Sequence, residues 1–88
     1  MQFEWDENKN ILNIKKHGIS FDEAMRAFLD PERKVRFNMK HSRSEMRYYC
    51  LGKVEGKVMT VRFTIRNNKI RIIGAGYWRE GKIIYEKK

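Results

Sequence analysis

The chain has 88 residues, of which 41% are hydrophobic and 35% charged, and this length suits one domain over residues 1–88 with a modest core. The net charge of +9 is unevenly placed, because residues 1–32 hold 4 Lys/Arg and 7 Asp/Glu whereas residues 33–88 hold 16 Lys/Arg and 4 Asp/Glu. No apolar run could cross a membrane and early acidic residues argue against a signal peptide, so a membrane partner is excluded and a polyanionic partner is favoured.

The first predicted element is a helix over residues 4–18, with a ragged apolar stripe at Ile11, Leu12 and Ile14. Asp6 is suited to cap its start, and Gly18 to the left-handed position that closes a helix. His17, in the corner before Gly18, is interpreted first as a packing or capping residue and second as a catalytic group.

A second helix is predicted over residues 19–31. Ser20 and Glu23 form an S-x-x-E capping box, and Asp30-Pro31 ends the helix because a residue before proline avoids the helical region. DNA recognition by a helix-turn-helix within residues 4–31 is a further reading, but the net acidity of this segment argues against it.

Antiparallel strands follow, joined by Glu55-Gly56 and Asn67-Asn68, which are typical of two-residue hairpin turns. The tail, residues 79–88, fits either a strand extension or a short last helix, and Gly81 weakens the helix prediction. The predicted fold class is α+β, with two N-terminal helices packed on a four-stranded antiparallel sheet. The predicted strands are 34–38, 46–54, 57–65 and 69–78.

Counting outward from the two turns predicts which residues face each other. One side of the sheet is apolar and should meet the helices. Its predicted facing pairs are Cys50–Val61, Tyr48–Phe63, Phe63–Ile72, Ile65–Ile70 and Val61–Gly74. The other side has Arg47 facing Thr64, Thr64 facing Arg71, and Arg62 facing both Tyr49 and Ile73. Cys50, the only cysteine, is interpreted as a small core residue, and its lack of a partner favours a reducing, cytoplasmic setting.

The second side of the sheet is cationic, with no acidic residue among its predicted members. Arg47 and Arg71, with the Thr64 hydroxyl between them, suit a phosphate because each guanidinium donates to two oxygens in one plane. The alternative is a solvated face on which exposed strands simply carry arginine. The further candidate RNA-binding residues are Tyr49, Arg62, Arg66, Lys69, Tyr77 and Arg79.

One cysteine and two histidines give no metal-ligand cluster, and no phosphate-binding glycine loop is present, so no metal or cofactor is expected. Metal-independent RNA cleavage remains feasible. RNA supplies its own nucleophile, the 2′-hydroxyl, and the protein needs only cations around the phosphorane and a proton carrier. His41, in the polar loop before the second strand, is the candidate proton carrier.

Three stretches resemble the BrnT toxins: KHGISFDEA at residues 16–24, HSRSEMR at 41–47 and TIRNNKIRII at 64–73. The resemblance covers nearly the whole chain and implies a RelE-like fold. It implies an endoribonuclease toxin of a type II toxin–antitoxin pair that inhibits translation by cleaving RNA. It also implies a BrnA-type antitoxin with a ribbon-helix-helix domain, and promoter DNA as a partner only through the antitoxin complex.

Position by position, the resemblance assigns His41, Ser42, Glu45 and Arg47 to a loop-and-strand motif, and Thr64, Arg66 and Arg71 to a hairpin motif. Many BrnT sequences continue this hairpin with Ser-Ala-Arg, whereas this chain has GAGYW at residues 74–78, so an arginine is missing. A non-catalytic basic module that binds nucleic acid or an acidic protein is the alternative function. An exposed edge strand also leaves homodimerisation or strand addition by the antitoxin open.

Overall fold

The computed structural model describes residues 1–39 and 45–88, which form a five-stranded sheet with helices on both sides. The sheet order is β1-β5-β4-β3-β2, with β1 parallel to β5 and the other neighbours antiparallel. The α+β class is confirmed, but the sheet is mixed and has one strand more than predicted. The elements are β1 (Phe3–Trp5), α1 (Glu7–His17), α2 (Phe21–Ala24), a 3-10 helix (Met25–Leu29), β2 (Lys34–Phe37), β3 (Arg47–Val54), β4 (Lys57–Arg66), β5 (Lys69–Gly76) and α3 (Arg79–Glu86).

Strand β1 replaces the start of the first predicted helix. Phe3 pairs with Ile70 and Trp5 with Ile72, at the far end of the chain. Three residues are too few to show the alternating pattern that predicts a strand. This strand forms because it pairs with β5, which is distant in sequence. The predicted caps of α1 are confirmed: the Asp6 carboxylate accepts from the Asn8 N–H at 2.8 Å, and Gly18 closes the helix at φ 68°.

The second predicted helix begins as expected, because the Ser20–Glu23 capping box is present. It is α-helical only to Ala24 and then continues as the 3-10 helix to Leu29. This segment packs closely on β3, since a Cβ at Gly52 would lie 2.1 Å from the Ala27 carbonyl oxygen. Asp30 is extended, at φ −68° and ψ 118°, as expected before proline.

Both hairpin turns are confirmed, with positive φ at Glu55, Gly56, Asn67 and Asn68. All predicted β3–β4 pairs are also observed, and the β4–β5 pairs are observed from the turn to Phe63–Ile72.

Beyond that pair a β-bulge at Ile73 shifts the predicted register of β5. Arg62 pairs with Gly74 rather than Ile73, and Val61 with Ala75 rather than Gly74. The bulge places Gly74 on the cationic side and Ala75 in the core, where it is fully buried.

The core lies between the helical segments and the predicted apolar side of the sheet. Helix α1 does not bury its apolar stripe there, since Ile11, Leu12 and Ile14 are 45%, 60% and 43% exposed. It buries Asn13 instead, whose side-chain amide donates to the Ala75 carbonyl at 3.0 Å and accepts from the Ala75 N–H at 3.1 Å. Among residues 1–39 and 45–88, on either side of the sheet, the largest fully buried side chains are Phe21, Leu51, Met59, Ile72, Val61, Thr64 and Cys50.

The tail forms helix α3, which packs on the cationic side of the sheet. Gly81 permits this, because a Cβ there would lie 2.2 Å from Thr60 Oγ1 and 3.0 Å from Leu51 Cδ2. The Lys34 ammonium donates to the Ile84 carbonyl at 2.9 Å and to the Lys87 carbonyl, which fixes the end of the helix. No helix in residues 1–39 or 45–88 has the length and apolarity needed to span a membrane.

Candidate active site

Helix α3 packs over Leu51 and Thr60 on the cationic side, and a row of four side chains crosses the same side of the sheet farther along the strands. The pairing of β1, β5, β4 and β3 aligns Glu4, Arg71, Thr64 and Arg47 in this order. Two strand spacings separate Arg47 from Arg71, roughly 10 Å between backbones. Long guanidinium side chains at that spacing can approach one anion from opposite sides.

Glu4 corrects the expectation of a face without acids. Its carboxylate contacts the Arg71 guanidinium at 3.2 Å, and both side chains are 28% exposed. Sequence reasoning missed Glu4 because it assigned the residue to a helix, where it would not reach β5. The parallel pairing of β1 is what brings an acid beside Arg71.

Glu45 is the second acid on this side. Its carboxylate accepts a hydrogen bond from Arg66 at 2.9 Å and lies 3.8 Å from the Arg47 Nε. The hydrogen bond from Arg66 holds the pKa of Glu45 below its usual value, so Glu45 is ionised at neutral pH. The resemblance already matched Glu45 to the motif, although its position so close to Arg66 follows only from the fold.

Thr64 lies between the two arginines but is 1% exposed. Its hydroxyl donates to the Met46 carbonyl at 2.6 Å. This hydrogen bond joins β4 to the residue just before Arg47. The Thr64 proton is therefore already used, and its predicted contact with a phosphate oxygen would require this bond to be exchanged.

Arg62 lies on the next row and accounts for the glycine at position 74. A Cβ at Gly74 would lie 2.3 Å from Arg62 Nη2, so the guanidinium occupies the space of the absent side chain. The Trp78 ring lies 5.9 Å from the same guanidinium, within cation–π range. A small recess beside it is lined by Asn38, Arg47, Arg62 and Ile73. The bulge at Ile73 thus lies beside a recess between two guanidinium groups.

The other candidate residues fall into three groups. Tyr49 pairs with Arg62 and is half-buried, whereas Lys69 pairs with Arg66 at the hairpin end. Tyr77 and Arg79 flank Trp78 at the start of helix α3, of which Arg79 is the first residue. The predicted proton carrier His41, like Ser42, lies outside the described residues.

The positions of His17 and Cys50 bear on the roles that the sequence suggested for them. His17 packs edge-to-face on Trp78, with ring centroids 5.2 Å apart, as expected for a packing residue. Cys50 is fully buried, and burial raises the pKa of its thiol to about 12, so the core interpretation is confirmed. Within residues 1–39 and 45–88, no three His, Cys, Asp or Glu side chains form a group that could hold a metal ion.

Comparison with known proteins identifies the family. The family described as "Ribonuclease toxin, BrnT, of type II toxin-antitoxin system" matches residues 5–81, which include Arg47, Arg62, Thr64 and Arg71. A search of curated proteins found no match. Because the family match spans most of the 88 residues, this chain belongs to the BrnT family of type II toxin–antitoxin ribonuclease toxins.

Proposed function

We propose that this protein is a metal-independent endoribonuclease whose active site is the open part of the cationic sheet face. Family membership supports RNA as the substrate and an antitoxin as the partner. The observation that carries the mechanism is the placement of Arg47, Arg62 and Arg71 on three neighbouring strands, on one side of the sheet. Cleavage of cellular RNA by this face would inhibit translation.

In the proposed reaction the 2′-oxygen of a nucleotide attacks the adjacent phosphorus and the bond to the 5′-oxygen breaks. A base removes the 2′-proton, and an acid protonates the leaving 5′-oxygen, which gives a 2′,3′-cyclic phosphate and a 5′-hydroxyl. Arg47 and Arg71 stabilise the negative charge of the phosphorane. Glu4 acts as a positioning residue, since its carboxylate holds the Arg71 guanidinium.

Other side chains have supporting roles in this proposal. Tyr49, Arg62, Arg66 and Lys69 hold RNA on either side of the scissile bond, by stacking or by contact with phosphates. Thr64 holds the start of β3 through Met46 and so positions Arg47. His41 stays our prediction for the proton carrier.

For the antitoxin, we propose a BrnA-type protein with a ribbon-helix-helix domain. In the toxin–antitoxin complex, this domain and not the toxin binds promoter DNA. Strand β2 is one of the two outer strands of the described sheet, and its side chains Val35 and Phe37 are 46% and 41% exposed. An outer strand with exposed apolar side chains supports strand addition by a partner, whether the antitoxin or a second copy of this chain.

The test is incubation of purified protein with naked RNA in EDTA, with Arg71→Ala and Arg26→Ala beside the wild type. Arg26 lies in the 3-10 helix and pairs with Glu55, so its replacement removes one positive charge elsewhere. We expect 2′,3′-cyclic phosphate ends from the wild type and Arg26→Ala, and a loss of at least about 100-fold in Arg71→Ala.

A parallel reaction with translating ribosomes tests whether the protein cleaves RNA only on the ribosome. If RNA stays intact in both reactions, or if Arg71→Ala cleaves as fast as the wild type, the proposal is wrong. Salt-dependent RNA binding without cleavage would then identify the alternative, a non-catalytic basic module.

A further inference from the structure

A second cationic feature lies where helix α3 meets the β3–β4 hairpin. A groove of about 700 Å³ runs between them, with an apolar wall that includes Ile83. Its lining includes four cationic and two aromatic side chains: Lys53, Lys57, Arg79, Lys82, Tyr77 and Trp78. We call this feature the α3 groove.

The charge of the α3 groove favours an anion. Its lining contains one carboxylate, Glu86, against the four cations. Glu55, in the nearby hairpin turn, is already paired with Arg26 at 3.1 Å. The net charge therefore remains positive, as expected of a groove that follows a phosphate backbone.

The aromatic side chains of the α3 groove favour a nucleic acid over a simple anion. Tyr77 and Trp78 are 44% and 40% exposed, which leaves surface of both side chains open to solvent. The Lys57 ammonium lies 5.8 Å from the centroid of the Tyr77 ring, so a cation and a ring stand side by side. Paired cations and aromatic rings are typical of grooves that bind single strands, because phosphates meet the cations while bases stack.

The α3 groove is continuous with the candidate active site. Trp78 lines the groove and also lies over the Arg62 guanidinium, which lines the recess shared with Arg47. The wall formed by α3 is held in place at its other end, where the Tyr85 hydroxyl donates to the Asp30 carboxylate at 2.5 Å. A strand leaving the recess can therefore pass over Trp78 into a preformed groove.

We propose that the α3 groove is a second subsite for single-stranded RNA, which binds nucleotides flanking the scissile bond by phosphate contact and by stacking on Tyr77. This inference rests on the proposed ribonuclease function for its biological role. It adds Lys53, Lys57 and Lys82 to the binding surface. It predicts that affinity depends on RNA length, because only an RNA longer than a dinucleotide would occupy the recess and the α3 groove together.

The first test is binding of a labelled, 2′-O-methyl RNA of about ten nucleotides, within the size range of single-strand grooves. The methyl groups remove the nucleophile, so binding is measured without cleavage. Lys57→Ala/Lys82→Ala is compared with Lys15→Ala/Lys16→Ala, an equal loss of exposed charge at the end of α1. We expect the groove variant to lower the slope of log affinity against log salt by about 1.4, and the control to leave it unchanged.

The second test separates stacking from charge. Tyr77→Ala removes a ring from the α3 groove without changing its charge, and we expect at least about fivefold weaker binding of the same RNA. Tyr77→Trp retains a stacking surface and should restore binding. Because 44% of Tyr77 is exposed and the residue lies outside the core, we expect both variants to fold, which circular dichroism checks.

Cleavage kinetics distinguish this inference from the proposed function. For a ten-nucleotide substrate, the groove variant should raise KM and leave kcat unchanged, whereas a dinucleotide should be cleaved equally by groove variant and wild type. The subsite proposal is wrong if the wild type cleaves RNA, the groove variant keeps the wild-type salt slope and Tyr77→Ala binds RNA normally. That result would leave the proposed ribonuclease function intact. Weaker antitoxin binding by these variants would not rescue the subsite proposal. Groove-dependent binding without any cleavage would support the subsite and refute the proposed catalysis.

Discussion

Thr64 is more buried than we expected of a residue that contacts a phosphate. The register places it between Arg47 and Arg71 as expected, but its hydroxyl is buried and bonded to the Met46 carbonyl. Replacing Thr64 by Val keeps the shape and removes the donor, so we expect a loss of about 1–2 kcal/mol in the free energy of unfolding. Urea denaturation measures this change.

Thr64→Ser is the matched control, since serine keeps the hydroxyl. We expect Ser to retain activity and Val to lower kcat, because the segment that carries Arg47 is then less firmly held. A fully active Thr64→Val protein would show that the hydroxyl has no part in positioning Arg47. Retained activity would also argue against a direct contact between this hydroxyl and the phosphate.

The Asp30 carboxylate and the Tyr85 hydroxyl predict how stability depends on pH. Hydrogen bonding to Asp30 and partial burial raise the pKa of Tyr85 to about 12. Partial burial works to raise the pKa of Asp30, but hydrogen bonds from the Lys53 N–H, the Tyr85 hydroxyl and the Glu32 N–H outweigh it and lower that pKa.

The sign of each effect follows from linkage between proton binding and folding. Tyr85 has a raised pKa, so its contribution is present below about pH 10 and is lost as the pH rises towards 12. Asp30 has a lowered pKa, so its contribution is present above about pH 4 and is lost as the pH falls through the folded-state pKa.

We expect Tyr85→Phe to cost about 1 kcal/mol of unfolding free energy at pH 7. The difference from wild type should shrink above pH 10, where the unfolded tyrosine ionises, and also in acid, where Asp30 becomes protonated. Urea unfolding of both proteins from pH 3 to pH 11 measures this difference. A difference that does not vary with pH would mean that the Tyr85–Asp30 hydrogen bond does not contribute to stability.

Helix α3 depends on a residue that normally disfavours helices. Glycine in a helix costs about 1 kcal/mol relative to alanine, so an exposed Gly81 would be improved by substitution. Here Gly81 is buried against Thr60 and Leu51, and a Cβ would overlap Thr60 Oγ1 at 2.2 Å. Close approach to the sheet therefore outweighs helix propensity at this position.

We expect Gly81→Ala to destabilise the protein by about 1–3 kcal/mol, the usual cost of overpacking. Glu80→Ala, at the exposed neighbouring position of the same helix, is the control and should change stability little. Thermal unfolding measures both. If Gly81→Ala is more stable than the wild type, α3 does not pack on Thr60 as described.

Hairpins and capped helix ends were predictable because their signals are local. Glu55-Gly56 and Asn67-Asn68 set the register of three strands, and Asp6, Gly18 and the Ser20–Glu23 box set helix ends. The predicted β5 register failed only past Ile72, where a bulge at Ile73 places Gly74 under the Arg62 guanidinium. The alternation of apolar and polar residues in the sequence does not reveal a bulge of this kind.

In the molecule as a whole, the helical layer and α3 divide the sheet between a core side and a partly open side. Net acidic residues 1–32 supply the helical layer over the core, and the basic remainder supplies most of the open side. Glu4 is the exception, because β1 carries an acid from the first segment to Arg71. Charge segregation in sequence thus becomes segregation between two faces, and Glu4 joins Glu45 beside the arginines of the candidate active site.

The sequence by itself determined the α+β class, the family, the hairpin register and the cationic side of the sheet. The family follows from the resemblance of three sequence stretches, whereas the other features rest on turn residues, on period-two alternation and on net charge. Only the tertiary structure decided that Glu4 meets Arg71, that Thr64 is buried, and that α3 and Trp78 form a groove. Each of these depends on contact between segments far apart in sequence, whose approach is fixed by packing rather than by local preference.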